Sequence, residues 1–288
     1  MVLSMAGFSI NDAFIKSLDG AVPSTQVMAV RGLILSVLIS LLLWQRGIHR
    51  RLGEAVTPLV GLRASMELLA TYFFLSALSL LTLASMSAIL QVLPLAVTLG
   101  AALFFREPVG WRRWLAILVG FTGVMIIIRP GTAGFEPASL LVVLSVLFAA
   151  GRDLATRALP AAIPSLIVTA ATAVLVTVTG FALTVMAGTW VPLEWLHVKR
   201  LAIASVFLFF GYQFIVLAMR TGEVAYVVPF RYTSLLWSVA LGYLVFAEVP
   251  DQWTLVGSTI VIAMGLFTLY REVVRSRQVV AATSNSRL

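Results

Sequence analysis

From Ile163 to Met186 the chain runs without one charged side chain, and nine further segments are nearly as apolar. A hydrocarbon core about 30 Å thick is crossed by roughly 20 apolar residues in an α-helix. The segments fall at 1–17, 25–45, 59–79, 83–104, 112–128, 138–156, 163–186, 200–219, 224–246 and 252–271, cut apart by charges, prolines and glycines. Composition points the same way: 60% of residues are hydrophobic, 11% are charged, and the mean hydropathy is +1.03. An ordinary soluble domain is about half apolar and about a quarter charged. So few charges cannot cover a water-facing surface, and the excess apolar area must face lipid. The expected fold is an all-α polytopic membrane protein with ten transmembrane helices.

The first segment is short and lacks the basic stretch and small-residue cleavage site of a signal peptide, so it is read as a helix of the mature protein. It begins at Met1, which leaves open a true start further upstream. The loops are too short for a soluble domain, and the polar tail 276–288 is expected to be disordered.

A net charge of +8 would suit nucleic acid, but the basic side chains sit between apolar runs, where they set membrane orientation. One side collects Arg46, Arg50, Arg51, Arg106, Arg112, Arg113, Arg152, Arg157, Arg220, Arg271, Arg275, Arg277 and Arg287. The other has Lys16, Arg129, Lys199 and Arg200. The positive-inside rule then places both termini in the cytoplasm. The chain has no cysteine, and its two histidines, His49 and His197, fall in loops, so no metal centre is expected. A Walker A loop, an H-E-x-x-H pair and a G-x-S-x-G elbow are all absent, which argues against ATP-driven pumping by this chain alone and against a catalytic site; no cofactor is expected.

Sliding the sequence on itself by 141 residues aligns Asp12 with Asp153, Lys16 with Arg157, Pro23 with Pro164, Ala77 with Ala218, Ala84 with Ala225 and Glu107 with Glu248. With one inserted residue, Trp111 meets Trp253, Gly123 meets Gly265 and Arg129 meets Arg271. The matches run in order from the first segment to the last, which predicts two repeats, 1–131 and 138–271. Each holds five spans, an odd number, so the second enters the membrane inverted. Two similar units in opposite orientations can exchange conformations, opening a central site to each face in turn, as secondary transporters do.

The stretch "LSLLTLASMSAILQVLPLAVTLGAALFFREPVGWRRWLAILVGFTGVMIIIRPG", residues 78–131, and its counterpart "GEVAYVVPFRYTSLLWSVALGYLVFAEVPDQWTLVGSTIVIAMG" resemble the EamA family of the drug/metabolite transporter superfamily. The resemblance covers essentially the whole chain. It implies ten spans in two inverted repeats, a place in the bacterial cytoplasmic membrane, and export or uptake of a small metabolite such as an amino acid or a vitamin- or nucleoside-like solute. The short first span departs from the family pattern.

Ionisable residues inside the membrane cost on the order of 2.5–3.5 kcal/mol each and tend to face a cavity or a partner. Arg231 follows Pro229 inside the ninth span; proline withdraws a backbone donor, and interrupted helices near the midplane are where carriers build sites. Its repeat-equivalents are Leu90 and, opposite Tyr232, Gln91, so the halves diverge there. Arg31 in the second span either binds an anionic group or pairs with an acid. Glu67, one turn after Arg63, is either internally paired or a proton-coupling acid. Asp12 with Lys16 and Asp153 with Arg157 repeat in both halves and are assigned to scaffold or gate; Glu107 and Glu248 are assigned to the rim. Tyr72, Tyr212, Tyr232 and Trp237 are aromatic residues with polar handles near these positions.

The expected site is therefore Arg231, Tyr232, Gln91, Trp237, Arg31, Tyr72 and Tyr212, between the third, fourth, eighth and ninth spans, with Glu67 as the proton-coupling candidate. Its partners are a small solute and the lipid bilayer, with a homodimer left open. The competing classes are a lipid-moving or structural membrane protein and, further off, a membrane-embedded enzyme. The enzyme would need a nucleophile–base pair or clustered acids, and neither is found at suitable spacing.

Overall fold

The computed structural model describes residues 1–18, 20–107, 110–160, 162–221 and 227–285, with the main chain alone for residues 220, 221, 228 and 272–285. The described chain is helical throughout: α1 (Val2–Lys16), α2 (Ser24–Gln45), α3 (Pro58–Leu78), α4 (Leu83–Leu90), α5 (Leu93–Phe104), α6 (Trp111–Ile128), α7 (Ala138–Ala158), α8 (Ser165–Met186), α9 (Trp195–Thr221), α10 (Thr233–Phe246) and α11 (Gln252–Asn285). Tighter 3₁₀ turns occupy Ile48–Ala55 and Val228–Tyr232. Eight helical stretches, α4 and α5 counted together, are long and apolar enough to cross a membrane. The 15-residue α1, and α10 with the turn before it, complete the ten-helix arrangement.

Two expectations change. The fourth span is two helices rather than one, broken at Gln91 and Val92. The segment from Ser276, expected to be disordered, continues α11 as far as Asn285. No glycine or proline follows Gly265, so nothing in the sequence stops that helix. The beginning of the ninth expected span, 224–226, and the last residues, 286–288, lie outside the described residues.

The outer surface is apolar. On α2, Leu33, Val37 and Leu41 are exposed at a spacing of four, and Val174 with Val178 does the same on α8. Residues four apart share one helix face. These faces are stripes of aliphatic side chains that only lipid solvates without penalty. Three helix starts carry side-chain caps. Thr57 accepts from the Val60 amide at 3.3 Å, Thr82 from that of Ser85 at 3.1 Å and Asp251 from that of Thr254 at 2.7 Å, each meeting a donor that the first turn leaves free.

Packing follows a pseudo-two-fold axis. The α3–α7 contact is matched by α1–α9, α5–α7 by α1–α10, and α3–α8 by α2–α9, while α2–α8 and α6–α11 pair equivalent elements with each other. Individual bonds obey the same relation. Ser4 donates to the Gly211 carbonyl at 2.7 Å, and its equivalent Ser145 donates to the Ala70 carbonyl at 2.8 Å. On the axis, the hydroxyls of Ser36 and its own equivalent Thr177 lie 3.4 Å apart.

The α6–α11 crossing depends on two glycines. A Cβ on Gly257 would sit 2.5 Å from the Gly123 carbonyl oxygen and 2.5 Å from Ile127 Cγ1, so the backbones themselves are in contact. Close backbone approach through small residues is how helices associate in lipid, where the hydrophobic effect gives no help. Gly257→Val should destabilise the detergent-solubilised protein by about 1–3 kcal/mol through overpacking. Gly61→Ala, with nothing within 4 Å of its added carbon, should leave the melting temperature unchanged or slightly raised.

Candidate functional site

The two interrupted spans meet at the centre of the bundle. Pro94 has no amide hydrogen, so the Leu90 carbonyl loses its usual donor and α4 ends one turn earlier. In the other half the 3₁₀ turn Val228–Tyr232, with Pro229 near its start, leads into α10. Gln91 Nε2 donates to the Tyr232 carbonyl at 3.3 Å and to Ser234 Oγ at 3.0 Å. Gln91 and Tyr232 are repeat-equivalents, so this bond also lies on the axis.

Around this junction is a cavity of about 210 Å³. Its polar wall comes from Ser9 and Asp12 of α1, Ser87 and Gln91 of the fourth span, and Arg231, Ser234 and Ser238 of the ninth. Phe8, Phe74, Leu90 and the Tyr232 ring make the apolar wall. Among the described residues, Arg231 makes no hydrogen bond and no ion pair; Asp153 is the acid whose field acts on it most. A guanidinium withdrawn from water without a partner is costly, and its charge is free for an anionic group entering the cavity.

Asp12 is the second unbalanced charge. Asn11 Nδ2 donates to Asp12 Oδ1 at 2.8 Å, and in the other repeat Arg152 Nε donates to Asp153 Oδ1 at the same 2.8 Å. The geometry repeats but the donor does not: arginine brings Asp153 an opposing charge, whereas asparagine brings Asp12 none. No base lies within ion-pairing distance of Asp12 among the described residues, and the positive charge that acts on it most is that of Arg31. Sequence reasoning grouped Asp12 with Asp153 as scaffold or gate; the difference it did not use was the residue in front, Asn11 against Arg152.

Arg31, Glu67 and Tyr212 come together elsewhere, around a side pocket of about 50 Å³ that also touches Arg63, Thr172 and Leu208. Glu67 Oε2 lies 2.8 Å from Arg152 Nη1 and 3.8 Å from Arg63 Nη2. Arg152, counted in sequence with the loop arginines, is therefore inside the bundle, where it joins α3 to α7. Tyr212 meets Phe8 edge to face at 5.3 Å. Of the eight expected site residues, Arg231, Tyr232 and Gln91 share the central cavity, while Arg31, Tyr212 and Glu67 share the side pocket. Trp237 and Tyr72 line neither, with 37% and 36% of their surface exposed.

The Tyr232 hydroxyl is not in the cavity. It packs against Gly265 of α11, where an added Cβ would fall on it, and it is buried without a partner. A buried unsatisfied polar group costs about 1–3 kcal/mol. Tyr232→Phe should therefore raise thermal stability by about 1 kcal/mol and leave flux unchanged, because the ring that shapes the cavity remains. A stability loss in that variant would mean that the hydroxyl has a bond in the membrane.

The comparisons with known proteins cover the whole fold. The model of the EamA-like transporter family matches residues 1–129 and again 137–271. A riboflavin transporter of Vibrio cholerae is 31% identical over 265 residues, 91% of this chain and 88% of that protein. A riboflavin transporter of Rhizobium johnstonii is 32% identical over 191 residues, 66% of this chain and 63% of that protein. A pseudopaline exporter of Pseudomonas aeruginosa is 27% identical, covering 91% of each chain, and an S-adenosylmethionine uptake transporter of Rickettsia felis 25%, covering 94% and 91%. A solved crystal structure superposes with a TM-score of 0.62 at 19% identity, over 95% of this chain and 98% of its own, which supports the fold.

Proposed function

Because this chain belongs to the EamA-like transporter family and its named relatives are transporters of small metabolites, we propose that it works by alternating access on an organic solute bearing a carboxylate or phosphate, with Arg231 holding the anionic group and Asp12 exchanging the proton that drives transport. The observation that carries this reading is the unpaired Arg231 guanidinium on the wall of the central cavity. Gln91, Ser87 and Ser234 supply hydrogen bonds, and Phe8, Phe74 and the Tyr232 ring supply apolar contact.

The named relatives carry riboflavin, S-adenosylmethionine or pseudopaline, by uptake or by export. The solute of this chain is of the same general kind. A cavity of about 210 Å³ is smaller than the ~300–1,000 Å³ of most ligand pockets, so this conformation suits an amino-acid-sized solute or the head of a larger one. The arginine-rich face lies in the cytoplasm together with both termini. Asp12 suits the proton better than Glu67 does. Two arginines fix the charge of Glu67, whereas Asp12 has a neutral neighbour and an open cavity before it.

The test is purified protein in proteoliposomes, challenged with a panel of labelled metabolites chosen after a thermal-shift screen. The expected result is saturable flux of an anion-bearing member, accelerated by an imposed pH gradient. Flux confined to uncharged solutes, indifferent to the gradient, would overturn both assignments.

A further inference from the structure

Two equivalent ion pairs sit at opposite ends of the bundle. Lys16 at the end of α1 contacts Glu248 after α10 at 2.9 Å, and Arg157 at the end of α7 contacts Glu107 after α5 at 2.6 Å. The bases are 141 residues apart in sequence, and so are the acids. Each base also lies over an equivalent aromatic ring, Lys16 over Phe246 at 5.6 Å and Arg157 over Phe105 at 5.7 Å. Both acids are held by the same main-chain device. The preceding residue is left-handed, φ 54° at Ala247 and 52° at Arg106, and the acid's own amide turns back to the helix, to Gly242 O at 2.9 Å and Ala101 O at 3.4 Å. Left-handed backbone at a residue other than glycine is sterically strained, so its appearance at both places marks a constrained position.

Their surroundings differ. Lys16 and Glu248 have side-chain exposures of 11% and 17%, and Lys16 also donates to the Leu81 carbonyl while Glu248 Oε2 accepts the Leu83 amide at 3.0 Å. Outside this pair is a vestibule of about 670 Å³ touching Ser79, Thr82, Glu136 and Arg200; inside it, Leu78 and Leu83 begin the wall of the central cavity. Arg157 and Glu107 are 53% and 42% exposed.

We propose that Lys16–Glu248 and Arg157–Glu107 are the two gates of the carrier, tightened alternately, and that this conformation is the one closed at the face opposite the arginine-rich side. The proposal rests on the alternating-access reading above. In the exchanged conformation the inverted halves trade roles: Arg157 and Glu107 become the buried pair and Lys16 and Glu248 the exposed one. Removing a charge from a buried pair costs much more than removing one from an exposed pair. Each substitution therefore destabilises mainly the state in which its own pair is buried.

The chain has no cysteine, so Ser87→Cys places a single thiol on the cavity wall. Its labelling by a membrane-impermeant charged maleimide, applied from either face of oriented vesicles, reads the conformational balance without any solute. Adding Lys16→Gln should raise labelling from the face opposite the arginine-rich side about tenfold, and adding Glu107→Gln should lower it while raising labelling from the arginine-rich side. The double exchange Lys16→Glu with Glu248→Lys should restore the parent rate, which separates a lost gate from a damaged fold. Shifts in the same direction for the two single variants, or no shift in either, would overturn the proposal. If the opposite shifts occur but no solute is moved, the gates stand and the transport reading fails.

Discussion

Arg231→Leu should lower solute flux about a hundredfold in proteoliposomes while the protein still inserts and melts at or above the parent temperature. Truncating one partner of a buried, hydrogen-bonded charge costs about 2–5 kcal/mol, and each 1.4 kcal/mol is a factor of ten. The partner here is the solute, so the loss falls on transport and not on folding. Among the described residues Arg231 has no hydrogen bond or ion pair, and replacing an unpaired charge withdrawn from water with the shorter, apolar leucine side chain relieves desolvation. Arg231→Lys keeps the charge but loses the planar fork, and should retain an intermediate flux. Normal flux in Arg231→Leu would remove this residue from the site. A collapse in melting temperature would make it a structural cation.

Asp12→Asn should abolish accumulation driven by a pH gradient, a loss of more than about tenfold, and still permit exchange of labelled for unlabelled solute. Asparagine keeps the shape and the hydrogen-bonding reach of the carboxyl but carries no titratable proton. A carrier that cannot release its proton can shuttle while loaded, but it cannot be driven. Glu67→Gln should behave differently. It strips Arg152 and Arg63 of the carboxylate 2.8 Å and 3.8 Å away, leaving buried charge uncompensated, so its signature is lost stability. Unimpaired gradient-driven uptake in Asp12→Asn would exclude that residue as the coupling acid.

The contrast between residues found and missed in the sequence has a geometric cause. Gln91 and Arg231 announced themselves because proline and a polar side chain interrupt an apolar run. Trp237 was included for its nearness in sequence, but it stands one residue, about 100° of helix, from Ser238, and 37% of its surface is exposed. Ser234 and Ser238, at spacings that return to the same side, line the cavity instead. Tyr72 lies about 140° around from Glu67 by the same count, and it faces outward. The number of spans and the duplication were legible because hydropathy and the 141-residue offset record them directly; their limits were legible only in part, since the fourth span breaks at Gln91 and Val92 and the last helix runs on to Asn285. Which helices cross was not: a span that is apolar on every face has no stripe to point at its neighbour, and the small residues that decide the crossing, such as Gly123 and Gly257, look like any others until the backbones are placed.

The contact between the Ser36 and Thr177 hydroxyls joins a residue to its own counterpart through the same kind of group. When the halves swap shapes, such a contact maps onto itself, so its strength contributes equally to both end states and cancels from the balance between them. It behaves as a fulcrum, whereas the charged pairs at the two ends behave as weights. A change at Ser36 would alter how fast the molecule rocks in either direction, leaving the resting tilt where it was.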